Sequence, residues 1–134
     1  MRNNSLFLIA FILLGATFST AQGIKDGYGK IKLPDGSVYE GQFKDGVFNG
    51  QGNLTNTNGS QYSGAFKSGL YDGQGILYYT DGSKYEGQFK EGLTHGQGIL
   101  TYADGGQLEG RFKYGDIVST IPAATPNKPL GPAS

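Results

Sequence analysis

The stretch YEGQFKDGVFNGQGNLTNTNGSQ at residues 39–61 is followed by YSGAFKSGLYDGQGILYYTDGSK at 62–84 and YEGQFKEGLTHGQGILTYADGGQ at 85–107, a repeat of 23 residues without slippage. Tyr39, Tyr62 and Tyr85 share a column that Leu108 closes; Gly41, Gly64, Gly87 and Gly110 fill the next, and Phe43, Phe66, Phe89 and Phe112 another. Further glycine columns run through Gly46, Gly50, Gly52 and Gly59 and their equivalents, and reach back to Gly27, Gly29 and Gly36. Columns this deep within one chain define a supersecondary unit whose neighbours complete its core.

Two short segments of alternating character make up each unit, for example Ser83 to Lys90 and Gly96 to Tyr102, and both end in turn residues. They read as strands. The joints are Pro34-Asp35-Gly36, Thr57-Asn58-Gly59, Thr80-Asp81-Gly82 and Ala103-Asp104-Gly105. A two-residue Asp-Gly loop would set the Tyr column opposite Lys32, Thr55, Tyr78 and Thr101. A three-residue loop, a type I turn followed by a left-handed Gly, sets it opposite Ile31, Leu54, Leu77 and Leu100. The longer loop is preferred, because it gathers the apolar columns on one face and puts Pro34 where a type I turn favours it. Tyr39 then faces Ile31, Gly41 faces Gly29, and Phe43 faces Gly27. Paired glycines leave a trough across which large rings can lie.

The expected fold is all-β: an elongated, single-layer antiparallel meander of about four hairpins and about eight strands, with one aromatic and one polar face. The polar face carries Glu40, Gln42 and Lys44, then Glu86, Gln88 and Lys90, then Glu109, Arg111 and Lys113.

The ends differ from the array. Residues 1–21 have the order of a secretory signal: Arg2, the apolar run Leu6 to Ala16, then the small residues Ser19-Thr20-Ala21. Cleavage after Ala21 is expected, leaving a periplasmic, cell-surface or extracellular protein. An uncleaved anchor is the other reading, and the run is shorter than the roughly 20 residues that span a bilayer. Residues 22–26 read as a linker and 27–116 as the repeat array. Residues 117–134, with Pro122, Pro126, Pro129 and Pro132, read as a disordered tail or, alternatively, a Pro-rich recognition segment.

Without Arg2, ten Lys and Arg stand against eleven Asp and Glu, so no electrostatic footprint for nucleic acid exists. The chain has no Cys, which excludes disulfides, thiolate metal sites and Cys nucleophiles.

The pattern Tyr-x-Gly-x-Phe-x-x-Gly-x-x-x-Gly-x-Gly at Tyr39–Gly52, Tyr62–Gly75 and Tyr85–Gly98 resembles the MORN repeat. The resemblance covers roughly residues 27–115, with a partial first unit. The last unit departs from it: Leu108 replaces Tyr, and Asp116-Ile117-Val118 follows in place of the Gly-x-Gly stretch, as suits caps at the two ends. It implies a hairpin array that acts as a scaffold for proteins, for itself as a dimer, or at membranes. The lipid kinases that carry such repeats owe their activity to a separate catalytic domain, for which this chain has no room.

No residue invites a catalytic role. His95 occupies a column otherwise filled by Asn49 and Asp72 and reads as a turn residue. Asp35, Asp81 and Asp104 precede left-handed glycines, and turn chemistry explains them better than calcium. The Gly-x-Gly pairs precede strands and lack the Lys of a phosphate loop. No enzyme activity, cofactor, metal or small-molecule substrate is expected. Two columns offer contacts instead. The rings of Tyr39, Phe43, Tyr62, Phe66, Tyr85, Phe89 and Phe112 form a candidate protein-contact face, for a second copy or a different partner. Lys44, Lys67, Lys90 and Lys113 form a ladder about 10 Å in step that can meet anionic lipid headgroups, although Glu40, Glu86 and Glu109 blunt its field.

Overall fold

The computed structural model describes residues 24–122; the expected signal segment and the Pro-rich residues from 123 lie outside them. Nine strands form one antiparallel sheet in chain order: β1 (Gly27–Lys32), β2 (Val38–Lys44), β3 (Val47–Thr55), β4 (Gln61–Lys67), β5 (Leu70–Tyr78), β6 (Lys84–Lys90), β7 (Leu93–Thr101), β8 (Gln107–Lys113) and β9 (Asp116–Ile121). The meander is open, with β1 and β9 at its two edges.

Turn chemistry sets the register as expected. At the first hairpin Gly36 N donates to Leu33 O at 2.8 Å, Leu33 N donates to Ser37 O at 2.7 Å, and Gly36 has φ +97°. This is the three-residue loop, and Asp35 Oδ1 tightens it by accepting from Ser37 N at 2.8 Å. Tyr39 pairs with Ile31, Gly41 with Gly29 and Phe43 with Gly27, and the relation recurs in the next units.

The joints on the other side are two-residue turns at Asp45-Gly46, Ser68-Gly69, Glu91-Gly92 and Tyr114-Gly115, with both central φ angles positive. That is type I′ geometry, which matches strand twist but disfavours a side chain at its first central position. Bonds from the preceding unit compensate. Gly46, Gly69, Gly92 and Gly115 donate their N–H to the carbonyls of Lys25, Phe48, Tyr71 and Thr94 at 2.7 to 2.9 Å. Each unit therefore locks the turn of the next.

One row crosses the sheet with almost no side chains: Gly29, Gly41, Gly52, Gly64, Gly75, Gly87, Gly98 and Gly110 are partners in succession, and Thr120 of β9 ends the row. Tyr39, Tyr62 and Tyr85 lie across this trough. Their hydroxyls donate to the carbonyls of Gln42, Ala65 and Gln88 at 2.7, 2.8 and 3.0 Å.

β9 corrects the start of the disordered tail expected over residues 117–134: residues 117–121 form a strand, and those from 123 lie outside the described residues. Ile117–Ile121 pair with β8 through Glu109–Phe112, adding a ninth strand to the expected eight. The 23-residue pattern fails there because the edge strand needs only backbone partners on one side, and Ile, Val, Ser and Thr meet that need without glycine columns.

Candidate interaction surfaces

The rings proposed as a contact face are instead the core of the protein. Tyr39, Phe43, Tyr62, Phe66, Tyr85, Phe89 and Phe112 are between 0 and 9% exposed. They cover one another in a chain of edge-to-face pairs. Phe43 meets Tyr39 at 5.1 Å, Tyr39 meets Phe66 at 5.2 Å, Phe66 meets Tyr62 at 5.1 Å, and Tyr62 meets Phe89 at 5.0 Å. The chain ends with Phe89–Tyr85 at 5.1 Å and Tyr85–Phe112 at 4.9 Å. A further layer comes from a column not singled out in the sequence. Phe48 stacks on Tyr39 at 3.6 Å, and Tyr71 stacks on Tyr62 at 3.8 Å. Each of these two tyrosines thus has glycine backbone on one side, a stacked ring on the other and phenylalanine edges around it.

Burial raises the pKa of these phenols: Tyr85 is pushed up to about 12, and Tyr39 and Tyr62 rise further for the same reason. An unfolded phenol ionises near 10. Above that value the unfolded chain holds fewer protons than the folded one, so stability falls as pH rises. Below it these groups contribute no pH dependence. Urea unfolding should show a midpoint that drops between pH of about 9 and about 12, and drops less in Tyr85→Phe. A constant midpoint up to pH of about 12 would contradict the burial of these hydroxyls.

The exposed apolar surface lies elsewhere. All six residues of β9 are exposed, including Ile117, Val118 and Ile121. Val118 has no partner in β8, because Arg111 pairs with Ser119 and Phe112 with Ile117. Tyr78 and Tyr102 are also exposed, at the end of the sheet that carries the three-residue loops. Sequence columns hide these residues: β9 departs from the repeat, and Tyr78 shares its column with Lys32, Thr55 and Thr101.

The four lysines are exposed as expected, each directly before a type I′ turn. Glu40 and Glu86 pair with other lysines. Among the described residues the two ion pairs are Lys30–Glu40 at 3.7 Å and Lys84–Glu86 at 3.9 Å, neither of which involves Lys44, Lys67, Lys90 or Lys113.

His95 lies within β7 and is not itself a turn residue. Its Nδ1 accepts from Tyr114 N at 3.3 Å, as Asp26 accepts from Asp45 N at 2.9 Å and Asp72 from Glu91 N at 3.2 Å. The column thus supplies acceptors for the next unit's turn. Asp35, Asp81 and Asp104 accept backbone N–H groups two residues on. Among the described residues no cluster of His, Asp or Glu is arranged to hold a metal ion.

A family model of the MORN repeat matches residues 21–38, 39–61, 62–84 and 85–107. No curated protein matches the chain.

Proposed function

We propose a non-catalytic protein-binding role for this chain, which belongs to the MORN repeat family. Repeats of this family are non-enzymatic modules associated with protein or membrane binding. The observation that carries the reading is β9: an edge strand, exposed along its length, with Ile117, Val118 and Ile121 unburied. Such an edge accepts an added strand, with main-chain bonds for affinity and side chains for selectivity. The partner is a second copy or another protein, and the sheet behind β9 acts as a rigid scaffold. We place this role outside the cytoplasm, on the strength of the apolar run Leu6 to Ala16 and the small residues before Gln22.

A second reading, attraction to anionic lipid, draws support from the row of lysines outside the ion pairs. One set of cells and one preparation test both. A photo-crosslinking residue at Val118 should give adducts, recovered from the exported fraction, that one at exposed Thr80 does not. Purified protein should not sediment with phosphatidylserine vesicles. Absence of Val118 adducts would sink the strand-addition reading; salt-sensitive sedimentation that Lys67→Ala with Lys90→Ala abolishes would replace it with the lipid reading.

A further inference from the structure

We infer that the polar face of the second unit holds a binding site for a carboxamide side chain, a glutamine of a partner protein; this rests on the protein-binding role above.

The three units differ at one place that matters. Gln42 Oε1 accepts from Gln51 N at 2.7 Å, and Gln88 Oε1 accepts from Gln97 N at 3.0 Å. In both, the side chain covers a left-handed glycine: its Cδ lies 3.0 Å from where a Cβ of Gly50 or of Gly96 would stand. The second unit has Ala65 in this column. Only the Ala65 methyl approaches Gly73, at 3.0 Å from the same point, and the side-chain bond to Gln74 N has no counterpart.

The uncovered glycine and Gln74 line a groove open to solvent, with Gln88, Lys67 and Lys90 also on its wall. A glycine held at φ +106° keeps this peptide bare, since any side chain there would be strained. The second unit lacks the group its sister units set against this peptide, an amide oxygen on a flexible stem. Gln88 cannot supply it, because its oxygen is engaged by Gln97.

Charge favours the amide over a carboxylate. Lys67 and Lys90 share the lining with Asp72 and Glu91, so its formal charges cancel and a carboxylate meets no net opposite charge. A neutral acceptor needs none, and it meets the N–H geometry already realised twice in this chain.

The test is nitrogen-15 NMR of the folded chain titrated with N-acetylglutamine amide, N-acetylglutamate amide and N-acetylnorvaline amide. The expected result is a saturable shift of the Gln74 amide with the glutamine probe, and none at Gln51 or Gln97. Ala65→Gln should weaken that response about tenfold or more, because it places the protein's own amide there. The variant restores a contact already present in two units, so it should fold at least as well as the parent. The inference falls if Gln74 does not respond, if norvaline or glutamate moves it as much as glutamine does, or if the response survives in Ala65→Gln. None of these readouts depends on β9, so a failure here and a failure of strand addition are separable.

Discussion

Gly87→Ala is expected to cost about 3 kcal/mol or more, a large part of the stability of a domain this size. The added Cβ would stand 2.5 Å from Gln97 O, 2.5 Å from Gly98 Cα and 2.8 Å from Tyr85 Oη. The first two are backbone atoms of the adjacent strand and have no rotamer by which to move away. Relief requires β6 and β7 to separate where Gly87 pairs with Gly98, and Tyr85, which bridges the same trough, would lose its seat. Gly105→Ala is the control. It also replaces a glycine, but nothing lies within 4 Å of the new methyl, so only the left-handed backbone at φ +97° resists it, at about 1–2 kcal/mol. Thermal unfolding separates the two, since each kcal/mol shifts the midpoint by roughly 4–8 °C in a domain of this length. Equal losses in the two variants would show that the glycine row serves chain flexibility and not close packing.

The fold was legible because three independent signals agree. Pro34 before Asp35-Gly36, the column of tyrosines and the column of glycines all favour one register, and a slip of one residue sets the tyrosines against a mixed set. The trough and the rings across it were legible for the same reason. Ring coverage was not. Strand alternation tells which face a side chain takes, but whether Phe66 covers Tyr39 depends on distances between units that no pattern within a unit encodes. The stacking column was hidden because it runs Phe48, Tyr71, Thr94 and Ile117 and breaks after two rings. β9 was hidden because an edge strand is specified by backbone pairing, which leaves little trace in residue type.

Burial of the aromatic columns also changes where function can reside. A repeat that spends its large rings on its own core leaves contact to its edges, its turns and its polar face. On the binding role proposed above, contact depends on what varies from unit to unit, such as Ala65 between Gln42 and Gln88 or Ile117 in the column of Phe48 and Tyr71, while the repeated columns hold the sheet. Substitutions in the two classes should behave differently: the first alters partners, and the second alters stability.

The second large effect follows from that division. Tyr62→Ala should destabilise the protein by about 3–5 kcal/mol, the range for emptying the site of a buried ring. Tyr62 is fully buried, stacks on Tyr71 with an interplanar angle of 10°, and has Phe66 and Phe89 against it at 5.1 and 5.0 Å. Its place between the outer units adds to the loss, because each unit contacts only its neighbours and a gap here separates the two halves of the array. Tyr85→Ala should cost less by about 1 kcal/mol, since Thr94 occupies the stacking position in its unit and no ring pair is lost on that side. Tyr62→Phe keeps the ring and removes only the 2.8 Å bond to Ala65 O, so about 1 kcal/mol is expected. A double-mutant cycle with Tyr71→Thr isolates the stack, for which a coupling of about 0.5–1.5 kcal/mol is expected. Urea denaturation of the set gives the values, and amide exchange shows whether β1–β3 and β6–β9 lose protection together. If Tyr62→Ala and Tyr85→Ala cost the same and the cycle shows no coupling, the stacked layer contributes nothing beyond area. Stability would then rest on the edge-to-face chain alone.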